Sequence, residues 1–391
     1  MKKLLTGVLF LAISHLCYAK WIIPFELYED KFILIKLPAP DNKDSLVFYF
    51  DTGASTTLLD RKVAERLQLK PDFKQNVPGA SGNKSYDIVT NQQLQIAGNI
   101  YIRGINVVLE DLTRLNNNLG RKFDGIIGND IIRNFLTKID FGKKQIELNE
   151  PGDKFNTTGF SVIDFTFKNG IPIPQFPISI QLQNGDKFSG DILFDSGAGL
   201  LLLMNTPFIN SNNLLNKIGN TVVSSSDNLS GKTVSTHAMI SGLEIGEYSI
   251  TGKLPVSLSS DKAGVSAYKG YLGILGSEII NRFDIILDYA ALKLYLRPNY
   301  LFKKAFEVPV SPVKLAYADK GIIIITTVIE NTDAWQQGLR EGQQLISING
   351  IEGAKIETYR KLLSAAGTEV NINLLDAGKV KEYKLQLREL L

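Results

Sequence analysis

One pattern occurs twice along this chain, and a chain that repeats itself folds as related units. Val47-Phe48-Tyr49-Phe50 runs into Asp51-Thr52-Gly53-Ala54-Ser55, and Ile192-Leu193-Phe194 runs into Asp195-Ser196-Gly197-Ala198-Gly199. Each is an apolar, β-prone run that stops at Asp, a hydroxyl residue and Gly, with a second apolar stretch beyond it (Leu58-Leu59; Leu200 to Leu203). A second pair of blocks follows at similar distance: Phe123-Asp124-Gly125-Ile126-Ile127-Gly128 and Tyr271-Leu272-Gly273-Ile274-Leu275-Gly276. From Gly125 and Gly273 to Asp140 and Asp288 the copies align without a gap, through Ile131 to Phe135 and Ile279 to Phe283. Both copies close on an amphipathic strand, Gln145 to Leu148 and Lys293 to Leu296.

The repeat predicts two homologous, mainly β lobes, residues 20–152 and 153–298, built largely of antiparallel strands such as Asn91 to Ile96. Short helices are expected near Asp60 to Leu67 and near Asn129 to Phe135. With 391 residues the chain exceeds what one core usually holds, and residues 299–391 read as a further unit.

Either aspartate alone reads as an ordinary surface-turn residue. Placed symmetrically in two lobes, they read as a pair. Two carboxylates within hydrogen-bonding reach cannot both ionise, so they share a proton and titrate as a unit. The ionised member can take a proton from water as it attacks a peptide carbonyl. The protonated member can polarise the carbonyl oxygen and protonate the leaving amine. Gly53 and Gly197 permit a tight turn and close approach. Thr52 and Ser196 carry hydroxyls able to bond across to the partner turn, and the blocks ending at Gly128 and Gly276 are expected to thread beside the turns and bury them.

These residues resemble the two catalytic signatures of the pepsin-type bilobal aspartic proteases, with dense matching confined to the repeated blocks. The resemblance implies two pepsin-like β-barrel lobes, catalysis by Asp51 and Asp195, a polypeptide substrate, and neither metal nor cofactor. Ala54 and Ala198 stand where secreted pepsins usually place Ser or Thr and where retroviral proteases carry Ala. Losing that hydroxyl bond raises the pair's pKa and implies an optimum less acidic than that of gastric enzymes. Gly199 also departs from the pattern, which implies a looser second loop. The flap of this family is expected at the hairpin Val77 to Ile88, with Gly79, Ser81, Gly82 and Tyr86 as candidates; Tyr86 also reads as an ordinary packed strand residue.

Beyond Pro298 the pattern changes. Gly321 to Ile325, Asp333 to Gly342 and Leu345 to Gly350, then a helix over 356–366 and a strand over 370–375, resemble a small α+β bacterial PDZ domain. Such domains capture a peptide's C-terminal carboxylate by strand addition. Pro309 to Leu315 lacks the usual carboxylate loop, and Gln343 replaces the usual Asp, so a purely structural or docking role stands beside peptide capture.

Residues 1–19 read as a signal peptide: basic Lys2-Lys3, apolar Leu4 to Leu16, and a Cys17-Tyr18-Ala19 cleavage site. The apolar run is short of the roughly 20 residues that span a bilayer, so export to the periplasm or outside is expected, with no membrane span in the mature chain. Cleavage removes Cys17, the only cysteine, and leaves His237 as the only histidine, too few ligands for zinc hydrolysis. His237 reads as a surface or hydrogen-bonded strand residue. The net charge of +3, two units of it from Lys2 and Lys3, suggests no nucleic-acid partner. Ser226 to Thr233 lacks only the first Gly of a P-loop, but β-branched residues follow where a phosphate-binding loop needs a helix. Gly264 to Gly270 reads as a loop. The leading function is endopeptidase hydrolysis; the alternative is a catalytically silent peptide-binding protein that uses the cleft and the PDZ-like unit.

Overall fold

The computed structural model describes residues 20–41, 44–79, 82–228 and 231–391. The proposed signal peptide lies outside them. The first lobe contains β1 (Trp21–Tyr28), β2 (Phe32–Pro38), β3 (Ser45–Phe50), β4 (Leu58–Asp60), α1 (Arg61–Arg66), β5 (Phe73–Pro78), β6 (Asn83–Ala97) and β7 (Ile100–Glu110). It continues with α2 (Thr113–Leu119), β8 (Gly125–Ile127), α3 (Asn129–Ile132), β9 (Leu136–Asp140) and β10 (Gln145–Asn149). Asp60 ends β4 and caps α1, accepting from Lys62 N at 3.0 Å, while its other oxygen accepts from Leu112 N at 3.0 Å. The expected second helix shortens to the four residues of α3.

The second lobe contains β11 (Ser161–Asp164), β12 (Gln175–Leu182), β13 (Lys187–Phe194), β14 (Leu202–Met204), α4 (Thr206–Ser211), β15 (Thr221–Asn228) and β16 (Gly231–Ile245). β17 (Tyr248–Ser259), β18 (Gly273–Leu275), α5 (Ser277–Ile280), β19 (Phe283–Asp288) and β20 (Lys293–Pro298) complete it. The strand orders β2-β3-β8-β4-β7-β6-β5 and β12-β13-β18-β14-β17-β16-β15 match position for position. In the second lobe β12 also pairs with β16, which closes a six-stranded barrel. Among the described residues the first lobe shows no such pairing, and a cavity of about 660 Å³ lies between Leu46 and Phe48 of β3 and Leu94, Ile105 and Val107 of β6 and β7.

In each lobe the strand leading to the aspartate lies parallel to the repeated Gly block: Phe48 to Phe50 beside Gly125 to Ile127, and Ile192 to Phe194 beside Gly273 to Leu275. Parallel neighbours require a long crossover. The two blocks are therefore far apart in sequence but adjacent in space. The lobes are also joined more closely than two separate barrels. β9 pairs antiparallel with β19, so β11-β20-β19-β9-β10-β1 is one continuous sheet beneath both, and one hydrophobic core runs through it.

The C-terminal unit contains β21 (Val313–Tyr317), β22 (Ile323–Val328), α6 (Asp333–Gln336), β23 (Gln344–Ile348), β24 (Ile351–Glu352), α7 (Ile356–Leu363), β25 (Glu369–Asp376) and β26 (Lys379–Gln386). Its sheet runs β21-β22-β23-β25-β26, and it has its own core around Ile325, Leu339, Ile348, Tyr359 and Leu374. Buried Gln343 accepts from Arg340 N at 2.9 Å, so its amide oxygen closes this turn as a carboxylate could.

Candidate active site

Each candidate aspartate begins a tight turn at the end of a buried strand. Asp51 N donates to Ile127 O at 3.0 Å, and Asp195 N donates to Leu275 O at 3.0 Å. Within the turns, Asp51 Oδ1 accepts from Gly53 N at 2.7 Å and Ala54 N at 3.2 Å. Asp195 Oδ1 accepts from Gly197 N at 2.9 Å and Ala198 N at 3.0 Å. The two carboxyls stand close enough for each to act on the other's titration. A Cβ on Gly53 would overlap the Asp195 carboxyl, and one on Gly197 would overlap that of Asp51, so only glycine lets the turns face so closely.

Both aspartates are half-buried, with protein packed around them. Burial raises the pKa of Asp195 well above the usual carboxylate range, and the neighbouring Asp51 charge adds to the effect. Burial raises Asp51 as well, against the lowering effect of N–H bonds from Gly53, Ala54 and Gly197. The pair therefore holds one proton to higher pH than a free carboxyl would.

The hydroxyls of Thr52 and Ser196 cross between the lobes. Thr52 Oγ1 donates to Phe194 O at 2.9 Å and accepts from Ser196 N at 2.9 Å. Ser196 Oγ donates to Phe50 O at 3.2 Å and accepts from Thr52 N at 3.0 Å. Both side chains are at most 1% exposed, so water cannot replace these bonds. Gly128 and Gly276 begin α3 and α5 where a Cβ would run into the backbone of Ala54 and Thr56 and of Ala198 and Leu200, respectively.

Several contacts were not anticipated. Tyr49 Oη donates to Gly197 O at 2.8 Å, and burial together with the two aspartate charges keeps that hydroxyl protonated. Asn129 Nδ2 donates to Thr52 O at 2.6 Å, and Tyr289 Oη donates to Asn129 Oδ1. Asn281, at the C-terminal end of α5, donates to Lys31 O at 2.8 Å in lobe one. Their only sequence signal was polar residues inside the repeated apolar blocks. The loose second loop expected at Gly199 is corrected: the Phe32 ring fills the space where a Cβ would stand.

β5 and β6 form the expected hairpin, with Pro78 opposite Asn83 and Gly79 N donating to Gly82 O at 2.7 Å. Gly79 O accepts from Val265 N of lobe two at 2.9 Å. Ser81 lies outside the described residues. Tyr86 is buried in the cluster that holds Tyr49 and Phe123, with Ala54 against it, and burial pushes its hydroxyl up to about 12.

His237 lies between two serines, Nε2 2.7 Å from Ser224 Oγ and Nδ1 3.0 Å from Ser257 Oγ. Ser226 and Thr233 face each other across the β15–β16 hairpin, and strand rather than helix follows Thr233. The 264–270 stretch is a loop with a single turn at Val265–Ala267. Among the described residues no helix is long and apolar enough to cross a membrane. No curated protein matches the chain. Residues 40–131, which run from before the Asp51 turn through the Gly128 block, match the family model of the aspartyl proteases.

Proposed function

We propose that this chain is an exported aspartic endopeptidase in which Asp51 and Asp195 activate water between two pepsin-like lobes, with a PDZ-like unit at its C-terminal end. The observation that carries this reading is the close approach of two carboxyls supplied by matching turns of two matching lobes, each standing against the glycine of the opposite turn. In the attack step the ionised carboxyl takes a proton from water as its oxygen bonds to the scissile carbonyl carbon. The protonated carboxyl gives its proton to the carbonyl oxygen, forming a neutral gem-diol. Collapse breaks the C–N bond, one carboxyl protonates the departing nitrogen, and the other recovers a proton from the gem-diol. The N–H groups of Gly53 and Ala54 hold Asp51 Oδ1 and those of Gly197 and Ala198 hold Asp195 Oδ1, so the carboxyls need little rearrangement during the reaction.

With alanine at positions 54 and 198, each carboxyl lacks a hydroxyl donor from that residue, which supports an optimum above the strongly acidic range. The test is cleavage of a diverse peptide pool by residues 20–391 from pH 3 to 8, beside Asp51→Asn and Asp195→Asn. Loss of cleavage in both variants is expected. Undiminished cleavage in either overturns the mechanism, and no cleavage by the unaltered protein at any pH favours the peptide-binding alternative.

A further inference from the structure

The two lobes share a strand order, but among the described residues only the second makes the pairing that closes its barrel, β12 with β16. There β16 breaks register between Ile240 and Gly242, and Ser241 Oγ donates to Leu182 O at 2.8 Å and to Gln181 O at 3.1 Å, fastening the two strands. In lobe one β6 breaks register on both sides of Gln92, beside Asn91 at φ 53°, and such bulges bend a strand out of line with its neighbours. After α4 the second lobe sends Leu214 and Ile218 fully into its core. Leu67 and Leu69, which follow α1 in lobe one, stay half-buried and line the cavity instead.

At about 660 Å³ the cavity falls within the roughly 300–1,000 Å³ of small-molecule sites, several times the about 150 Å³ that admits benzene. By strand alternation Leu46 and Phe48 face the interior of the lobe, whereas Tyr49 faces the catalytic turn, so the cavity lies on the other face of β3 from the two aspartates. Its wall is aliphatic, from Leu59, Leu94, Ile105 and Val107. The hydroxyl of Thr57 is already engaged, 2.8 Å from Asp130 Oδ1 and accepting from Gly128 N at 3.2 Å. The polar lining residues Arg66, Gln68, Asn91 and Gln93 are exposed, which places them at the mouth. Arg66 and Asp41 are the only charged residues among the described lining, and Arg66 Nε approaches Asp41 only to 3.5 Å. A charge-assisted bond is about 2.7–2.9 Å long, and a guanidinium offers a carboxylate two parallel donors, so Asp41 is a poorly matched partner for this fork.

We propose that the lobe-one cavity binds a single fatty acid, with its chain along the aliphatic wall and its carboxylate on Arg66 at the mouth. A straight chain suits the wall because it asks for no hydrogen bond where none is offered, whereas a sugar or a peptide would bury polar groups without partners. The chain removes the apolar surface of Leu67 and Leu69 from water, as the core of lobe two does for Leu214 and Ile218. The carboxylate meets the guanidinium edge-on and takes the place of the looser Asp41 contact. This inference is independent of the peptidase reading, because the site is on the other face of β3 and is read from binding alone.

The experiment uses residues 20–391 and isothermal titration calorimetry with octanoate, decanoate and dodecanoate, each below its micelle concentration at neutral pH. Saturable one-to-one binding is expected, tightening about fourfold for each added methylene. Arg66→Gln, a change at the exposed mouth, should weaken decanoate about tenfold and leave 1-decanol within about twofold. Val107→Phe, which fills part of the cavity, should weaken the acid and the alcohol alike. No saturable binding by the unaltered protein, equal affinity for the three acids, or a decanoate affinity that either variant leaves unchanged overturns the proposal.

Discussion

Replacing Thr52 by Val removes one hydroxyl and leaves a side chain of the same shape. That oxygen serves two backbone groups of the opposite lobe, Phe194 O and Ser196 N, each at 2.9 Å. Thr52, Phe194 and Ser196 are all buried, so water cannot take its place. A buried group left without its partner costs about 1–3 kcal/mol, so Thr52→Val should destabilise the protein by about 2–6 kcal/mol. Because the same bonds set the two turns against each other, turnover should also fall, by about 100-fold for a displacement near 1 Å. Thr52→Ser keeps the oxygen and should stay within about 1 kcal/mol of the unaltered protein, having lost only a methyl group. Urea unfolding and peptide cleavage of the three proteins provide the assay. Combining Thr52→Val with Ser196→Ala should cost less than the sum of the two, since both hydroxyls join the same pair of turns. A loss under about 0.5 kcal/mol for Thr52→Val, the range of ordinary surface changes, would refute the reasoning.

Two further outcomes test other parts of the molecule. Gly197→Ala should abolish cleavage, because its Cβ would overlap the Asp51 carboxyl, whereas Gly82→Ala, with open space around its Cβ, should not; similar turnover in both would contradict the packing described. Burial, and secondarily the Lys314 charge, push His237 from 6.5 down to about 4. The unfolded chain therefore takes up the proton first as pH falls. Stability is lost between about pH 6.5 and pH 4, by at most about 3 kcal/mol, and the effect is flat below. Thermal melts of His237→Gln at pH 7 and pH 4 should show that much less pH dependence, and an unchanged difference would show that His237 is not its source.

The two aspartate turns were legible because their information is local and duplicated. An apolar run, an Asp, a hydroxyl and a Gly occupy neighbouring positions, and the second copy distinguishes the pattern from a surface turn. The parallel Gly blocks were legible for the same reason, and so was the β5–β6 hairpin around Gly79 and Gly82. Tyr86 was ambiguous because an aromatic residue on a strand suits a flap and a packed cluster equally well, and only its neighbours decide. Gly199 was misread as slack because the ring that fills its space, Phe32, belongs to the other lobe.

The chain's own order of residues thus determined the mainly β character, the duplication and the two candidate carboxyls, all of which depend on spacing and residue type within short windows. Tertiary structure decided the rest. It brought Tyr49 to Gly197 and Asn129 to Tyr289, joined β9 to β19 in one sheet beneath both lobes, and set Arg360 across the edge of β21 against α2. Each of these contacts links residues more than a hundred positions apart or depends on such a link. Nothing in the local pattern names the partner, which is selected only when the folded chain leaves one buried donor facing one buried acceptor.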